Sequence, residues 1–148
     1  MSNEKETLYT YYFFISSVLN ALTLNPGDSY FSIETWGWFG EDKIVGELRV
    51  QLVINNIYDN LIEITIIKHM PPFQEILILT TNAKYEENKY KFRCLDGWGN
   101  TAYGYFTIEK ENIILFLDCE FDTSIYGGIG RLYGDTHVLK KGKIDIFK

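Results

Sequence analysis

The feature that most constrains this chain is an alternation of apolar and polar residues that runs, with short breaks, from residue 44 to residue 139. It is clearest over 44–54, where Leu48, Val50, Leu52 and Ile54 face one way and Glu47, Arg49 and Gln51 the other. Successive side chains of a strand point to opposite faces, so such a segment reads as a strand with one buried face. The same period recurs over 61–68, with Ile62, Ile64 and Ile66 on the inner face and Glu63 and Thr65 outside. Further strands are expected at 74–82, 88–95, 101–109, 112–121 and 129–139, with one more ahead of them at 28–36. The connectors are too short to hold a crossover helix, so neighbouring strands must run antiparallel. Eight strands in a meander close into an up-and-down barrel, which leaves no exposed edge.

Ahead of the strands the period changes. Leu8, Tyr11, Ile15, Val18 or Leu19, and Leu22 recur at helical spacing, and Asn3 with Glu6 forms a potential capping box. Asn25, Pro26 and Gly27 supply a stop. Residues 4–24 therefore read as one α-helix packed on the sheet or closing a barrel end. The uncharged run from Thr7 to Gly27 invites a membrane reading. Its flank MSNEKE carries two Glu and one Lys rather than a positive segment, and its interior holds Ser16, Ser17 and Asn20. A soluble helix and a cytoplasmic protein are the expectation, with no membrane partner.

The chain of 148 residues is expected to be a single domain with a core of its own. Aromatic residues reach 16%, which favours sheets, because large rings pack well on pleated surfaces. The net charge of -6 is spread along the chain and disfavours nucleic acid and anionic membranes, while tolerating a basic protein partner. Cys94 and Cys119 fall on strands separated by another strand, about 10 Å apart. That is too far for a disulfide, so two free thiols are expected. No Cys/His cluster points to zinc, and no metal or cofactor is expected.

Two short stretches carry a family resemblance. TWGWFG at 35–40 lies on or just beyond the first strand, with Gly37 directly before Trp38. Arg131, Leu132 and Tyr133 lie in the last predicted strand. With the strand number and length, these resemble the calycin group of lipocalins and fatty-acid-binding proteins over residues 28–139. The lipocalin resemblance implies that Trp36 or Trp38 stacks on Arg131 to close the barrel. The fatty-acid-binding resemblance implies that Arg131 and Tyr133 grip a carboxylate inside it.

Three readings of Arg131 stay open on the residues alone. Leu132 and Val138 as the core face would leave Arg131, Asp135 and His137 in water. A buried Arg131 would need either a stacked ring or a carboxylate. Tyr103 and Tyr105 share one face of 101–109, and the small Ala102 and Gly104 on the other face suggest a cavity beneath them. Trp36, Tyr103, Tyr105, Arg131 and Tyr133 are thus the candidate ligand-binding residues. No catalytic group stands out, because neither His69 nor His137 has a Ser or Cys at a diagnostic spacing. Two functions follow. One is binding of a small apolar or amphipathic, carboxylate-bearing molecule inside the barrel. The alternative is a small acidic protein-interaction module of the inhibitor or immunity type, with a filled barrel and Trp98 as its exposed anchor.

Overall fold

The computed structural model describes residues 24–39, 43–71, 74–120 and 132–148. Eight strands follow one another: β1 (Ser29–Phe39), β2 (Lys43–Tyr58), β3 (Leu61–His69), β4 (Ile76–Glu86), β5 (Lys89–Leu95), β6 (Thr101–Glu109), β7 (Asn112–Glu120) and β8 (Asp135–Lys141). Each pairs antiparallel with the next, and β8 returns to β1, so the sheet is a closed up-and-down barrel. This is the mostly β, antiparallel architecture that the alternation predicts. The predicted helix at 4–24 falls almost wholly outside the described residues, where only Leu24 remains, partly buried against the core. No helix among the described residues is long and apolar enough to cross a membrane.

The alternation dictates what fills the barrel. Register sets Leu52 beside Ile66 and Ile66 beside Leu79 across β2, β3 and β4. On the far wall Phe106 pairs with Leu115. All of these side chains are buried, together with Val50, Ile54, Ile64, Ile113, Leu117 and Leu139. Gly104 shows how tightly the wall is packed. A Cβ there would lie 2.1 Å from the Phe116 carbonyl oxygen and 2.9 Å from Phe92 Cζ. The space that the sequence suggests beneath Gly104 is therefore taken by the Phe92 ring.

The ends of the barrel differ. The lower end holds the β2–β3, β4–β5 and β6–β7 turns, two of which use left-handed residues: Glu87 and Asn88 in one, Lys110 in the other. The upper end carries the longer connections. Two strand pairs are hydrogen-bonded only towards the lower end. β1 and β8 are in register at Tyr30 with Lys141 and Phe31 with Lys140. β4 and β5 are in register at Lys84 with Lys91, Tyr85 with Tyr90 and Glu86 with Lys89. Past β8 the chain turns at Gly142, whose amide donates to the Ser29 carbonyl at 2.9 Å. Buried Ile146 is then anchored through its carbonyl to His69 Nδ1 at 2.9 Å and to Arg49 Nη1 at 3.4 Å.

The last strand departs from expectation. Its predicted span of 129–139 is replaced by Asp135–Lys141, with a turn at 132–134 in front. The turn resets the phase of alternation. His137 and Leu139 point inward and are fully buried, while Val138 is half-exposed. The reading of Val138 as core and His137 as solvated is thus reversed.

Candidate functional site

The inner face of β3 continues one position beyond its isoleucines, to Lys68. Register places Lys68 between Val50 of β2 and Leu77 of β4, in a layer where the pattern calls for an aliphatic side chain. Its accessibility is zero. The ammonium donates to the main-chain carbonyl of Leu132. A buried charge with one neutral acceptor is poorly compensated. Burial therefore lowers the Lys68 pKa to about 8, against the opposing pull of Asp135 and Glu34.

His137 enters the same region from β8. Its Nδ1 lies 2.9 Å from Oε1 of half-exposed Glu34 on β1. A carboxylate only accepts, so Nδ1 carries the proton of the neutral ring and Nε2 keeps the lone pair. Burial lowers the His137 pKa, the nearby Lys68 charge lowers it further, and Glu34 and Asp135 oppose both. The imidazole is accordingly neutral at pH 7. Extending the β1–β8 register past Phe31 and Lys140 brings Glu34 opposite His137. Their side chains span the seam where the ladder has ended.

Three buried polar atoms have no hydrogen-bond partner among the described residues: His137 Nε2, Ser32 Oγ and Glu75 Oε2. Ser32 lies two residues before Glu34 on β1, and Glu75 directly precedes β4. His137 and Glu75 belong to the upper half of the barrel, as Lys68 does, whereas Ser32 lies nearer the lower start of β1 and pairs with Val50, the residue opposite Lys68. Orphaned polar atoms are rare in interiors, where an unmet group costs about 1–3 kcal/mol.

A turn at 132–134 lies against Lys68, whose ammonium its Leu132 carbonyl accepts. Leu132 and Tyr133 are both buried. The Tyr133 hydroxyl donates to Asp96 Oδ2 at 2.9 Å. Asp96 opens the DGWGN turn between β5 and β6 and also accepts from the amides of Trp98 at 2.9 Å and Asn100 at 2.8 Å, and from Asn100 Nδ2 at 3.1 Å. Burial opposes ionisation of Asp96, but these four donors outweigh it and hold the carboxyl below its ordinary value. Tyr133 is pushed well above its ordinary value by burial and by the Asp96 charge.

The sequence-derived candidates fare differently. Tyr133 is buried at the upper end, in the turn rather than on a strand. Tyr103 and Tyr105 lie on the outer face of β6. There the Tyr103 hydroxyl donates to Asp118 Oδ2 at 3.3 Å, and Lys89 Nζ sits 4.1 Å from the Tyr105 ring centroid. Neither lines the interior. Trp36 pairs through its backbone with Gly46. The Trp36 side chain and the whole of Arg131 lie outside the described residues. Cys94 and Cys119 are free thiols on either side of Ala102, as the strand count predicts. Lys68 was detectable as the even-numbered successor of Ile62, Ile64 and Ile66. His137 was not, because its phase depends on the turn before it.

Comparison with protein-family models, with curated proteins and with solved structures finds no match for this chain.

Proposed function

We propose that the protein binds a small amphipathic molecule at the upper end of the barrel, with the molecule's carboxylate or other acceptor group on Lys68. The observation that carries this reading is Lys68 itself, a buried ammonium in an apolar layer with a neutral carbonyl as its hydrogen-bond partner. An ammonium has three donors, and a carboxylate is a far better acceptor for it than a peptide oxygen. A bound acid would displace the Leu132 carbonyl from Lys68 and loosen the turn at 132–134. Val50, Leu77 and Met70 would meet the apolar part of the molecule. Because the lower layers are filled, the reading favours a short chain over a long one.

The test is a calorimetric titration with octanoate on the wild type and on Lys68→Met and Arg131→Met variants. Loss of the buried charge should weaken binding by about 2–5 kcal/mol. Equal affinity in wild type and Lys68→Met removes Lys68 from the site. A loss confined to Arg131→Met moves the acidic end to the residue that the family resemblance favours.

A second reading has its own observation. Leu95 at the end of β5 is 70% exposed, Trp98 in the turn after it 56%, and Ile78 of the neighbouring β4 is half-exposed. An apolar patch of this kind fits a protein partner. It supports the small acidic interaction module, for which the barrel is scaffold. Failure of octanoate to bind, with loss of partner binding in Trp98→Ser, would favour it.

A further inference from the structure

Resting on the ligand reading above, we propose that Lys68 captures an apolar aldehyde covalently as an imine, with Nε2 of His137, which has no partner among the described residues, relaying the proton. The geometry supplies each part. Lys68 and His137 are both fully buried on the inner face of the barrel, the one opposite Val50 of β2 and the other opposite Leu115 of β7, and the Lys68 charge bears on the His137 ring. The Lys68 nitrogen is held by a main-chain carbonyl, and no ion pair among the described residues locks it as ammonium. His137 Nδ1 is fixed by Glu34, which leaves the Nε2 lone pair without a partner among the described residues.

The step balances without an oxidant or reductant. The neutral amine adds to the carbonyl carbon, forming a C–N bond as the C=O π bond opens. His137 Nε2 takes the proton released by the nitrogen and returns it to the oxygen. The carbinolamine then loses that oxygen as water, the nitrogen proton going with it, and the C=N bond remains. Hydrolysis reverses the sequence and frees the aldehyde. The dry surroundings of Val50 and Leu77 favour the imine over its hydrolysis. Burial adds to reactivity. An amine with a pKa of about 8 is roughly a tenth unprotonated at pH 7, about two to three hundredfold more than an exposed lysine.

The experiment treats the full chain with hexanal and sodium cyanoborohydride at pH 7 and locates the reduced adduct by peptide mass spectrometry. One hexyl group on Lys68 is expected, formed at least about tenfold faster than on any other lysine. His137→Gln should slow trapping by about tenfold or more, because it removes the proton relay. Lys68→Met should abolish the preferred adduct while circular dichroism shows the barrel intact. Hexanoate, which cannot form an imine, is titrated in parallel. Hexanoate binding with adducts spread over surface lysines and none on Lys68 overturns the imine and leaves the ligand reading standing. Neither adduct nor hexanoate binding overturns both. Trapping on Lys68 at an undiminished rate in His137→Gln overturns the relay.

Discussion

Replacing Lys68 with Met should leave the protein equally or more stable at pH 7, and the sign of the effect should reverse at high pH. Burial lowers the Lys68 pKa from 10.5 to about 8. At 1.36 kcal/mol per unit, the folded state carries a cost of about 3 kcal/mol for the buried charge. Met keeps most of the apolar stem and removes the charge, but it strips the Leu132 carbonyl of its donor, which costs about 1–3 kcal/mol. The net at pH 7 is a gain of about 0–2 kcal/mol, in line with buried charges replaced by apolar groups elsewhere. The lysine has a folded pKa below its unfolded one. Below pH 8 both states hold the proton and the cost is fully present. Between about 8 and 10.5 the unfolded chain binds a proton that the folded protein does not, so wild-type stability rises with pH across that window. Above it the neutral amine keeps its hydrogen bond at no charge cost, and the wild type becomes the more stable protein. The assay is urea unfolding followed by tryptophan fluorescence at pH 7 and at pH 10.5. Burial raises the pKa values of Tyr30, Tyr90 and Tyr133 in both proteins, so their titration cancels in the difference. The difference should move by about 3 kcal/mol in favour of the wild type. A loss of more than about 2 kcal/mol in Lys68→Met at pH 7 would refute the argument, because Glu34, Asp135 and Leu132 would then be holding a net stabilising ammonium.

Other expectations follow from single contacts. Gly104→Ala should cost about 1–3 kcal/mol in a thermal melt, because its Cβ would meet the Phe116 carbonyl and the Phe92 ring. Tyr133→Phe removes one of the donors to Asp96 and should lower stability by about 1–2 kcal/mol in urea. The Asp96 pKa is depressed, so its stabilisation is present above the ordinary carboxylate value and lost as pH falls through the folded one. Asp96→Asn should therefore unfold with a shallower acid limb, read by circular dichroism between pH 5 and pH 2. Cys94 and Cys119 should both react with a thiol reagent after denaturation without reductant and only slowly before it, since burial raises both thiols.

The walls of the barrel were legible because their residues obey one rule. Leu48, Val50, Leu52 and Ile54, the isoleucines at 62, 64 and 66, and the run from Ile113 to Cys119 all keep period two without interruption. Each of these segments points where the alternation sends it. β8 broke the reading because phase is set locally. The turn at 132–134 consumes residues that look like strand, and a shift of one position exchanges His137 for Val138 on the inner face. Val138 then lies outside, next to the parted β1–β8 seam, where an exposed valine violates no packing. The pairing of Lys68 with Leu132 was beyond reach for a different reason. It joins a side chain to a main-chain oxygen 64 positions away, and a carbonyl leaves no trace in the identity of its residue.

That anonymity bears on why Lys68 is there. A buried ion pair can fix register or exclude a wrong partner, because each side chain requires the other. Here the acceptor is a peptide oxygen that almost any residue at position 132 would present, so the bond specifies little about the fold. Met or Leu at position 68 would continue the face of Ile62, Ile64 and Ile66 without a charge cost. The fold in that layer does not depend on an ammonium, yet it carries a charge cost of about 3 kcal/mol, offset in part by the Leu132 bond, to keep one. Local rules broken without a compensating gain in stability concentrate at sites of chemistry or binding. The buried polar atoms of His137 and Glu75, without a partner among the described residues, lie at the same end of the barrel and reinforce the point, since packing alone would have removed each of them. The part of the chain that departs furthest from a good barrel sequence is thus the part in which its function is to be sought.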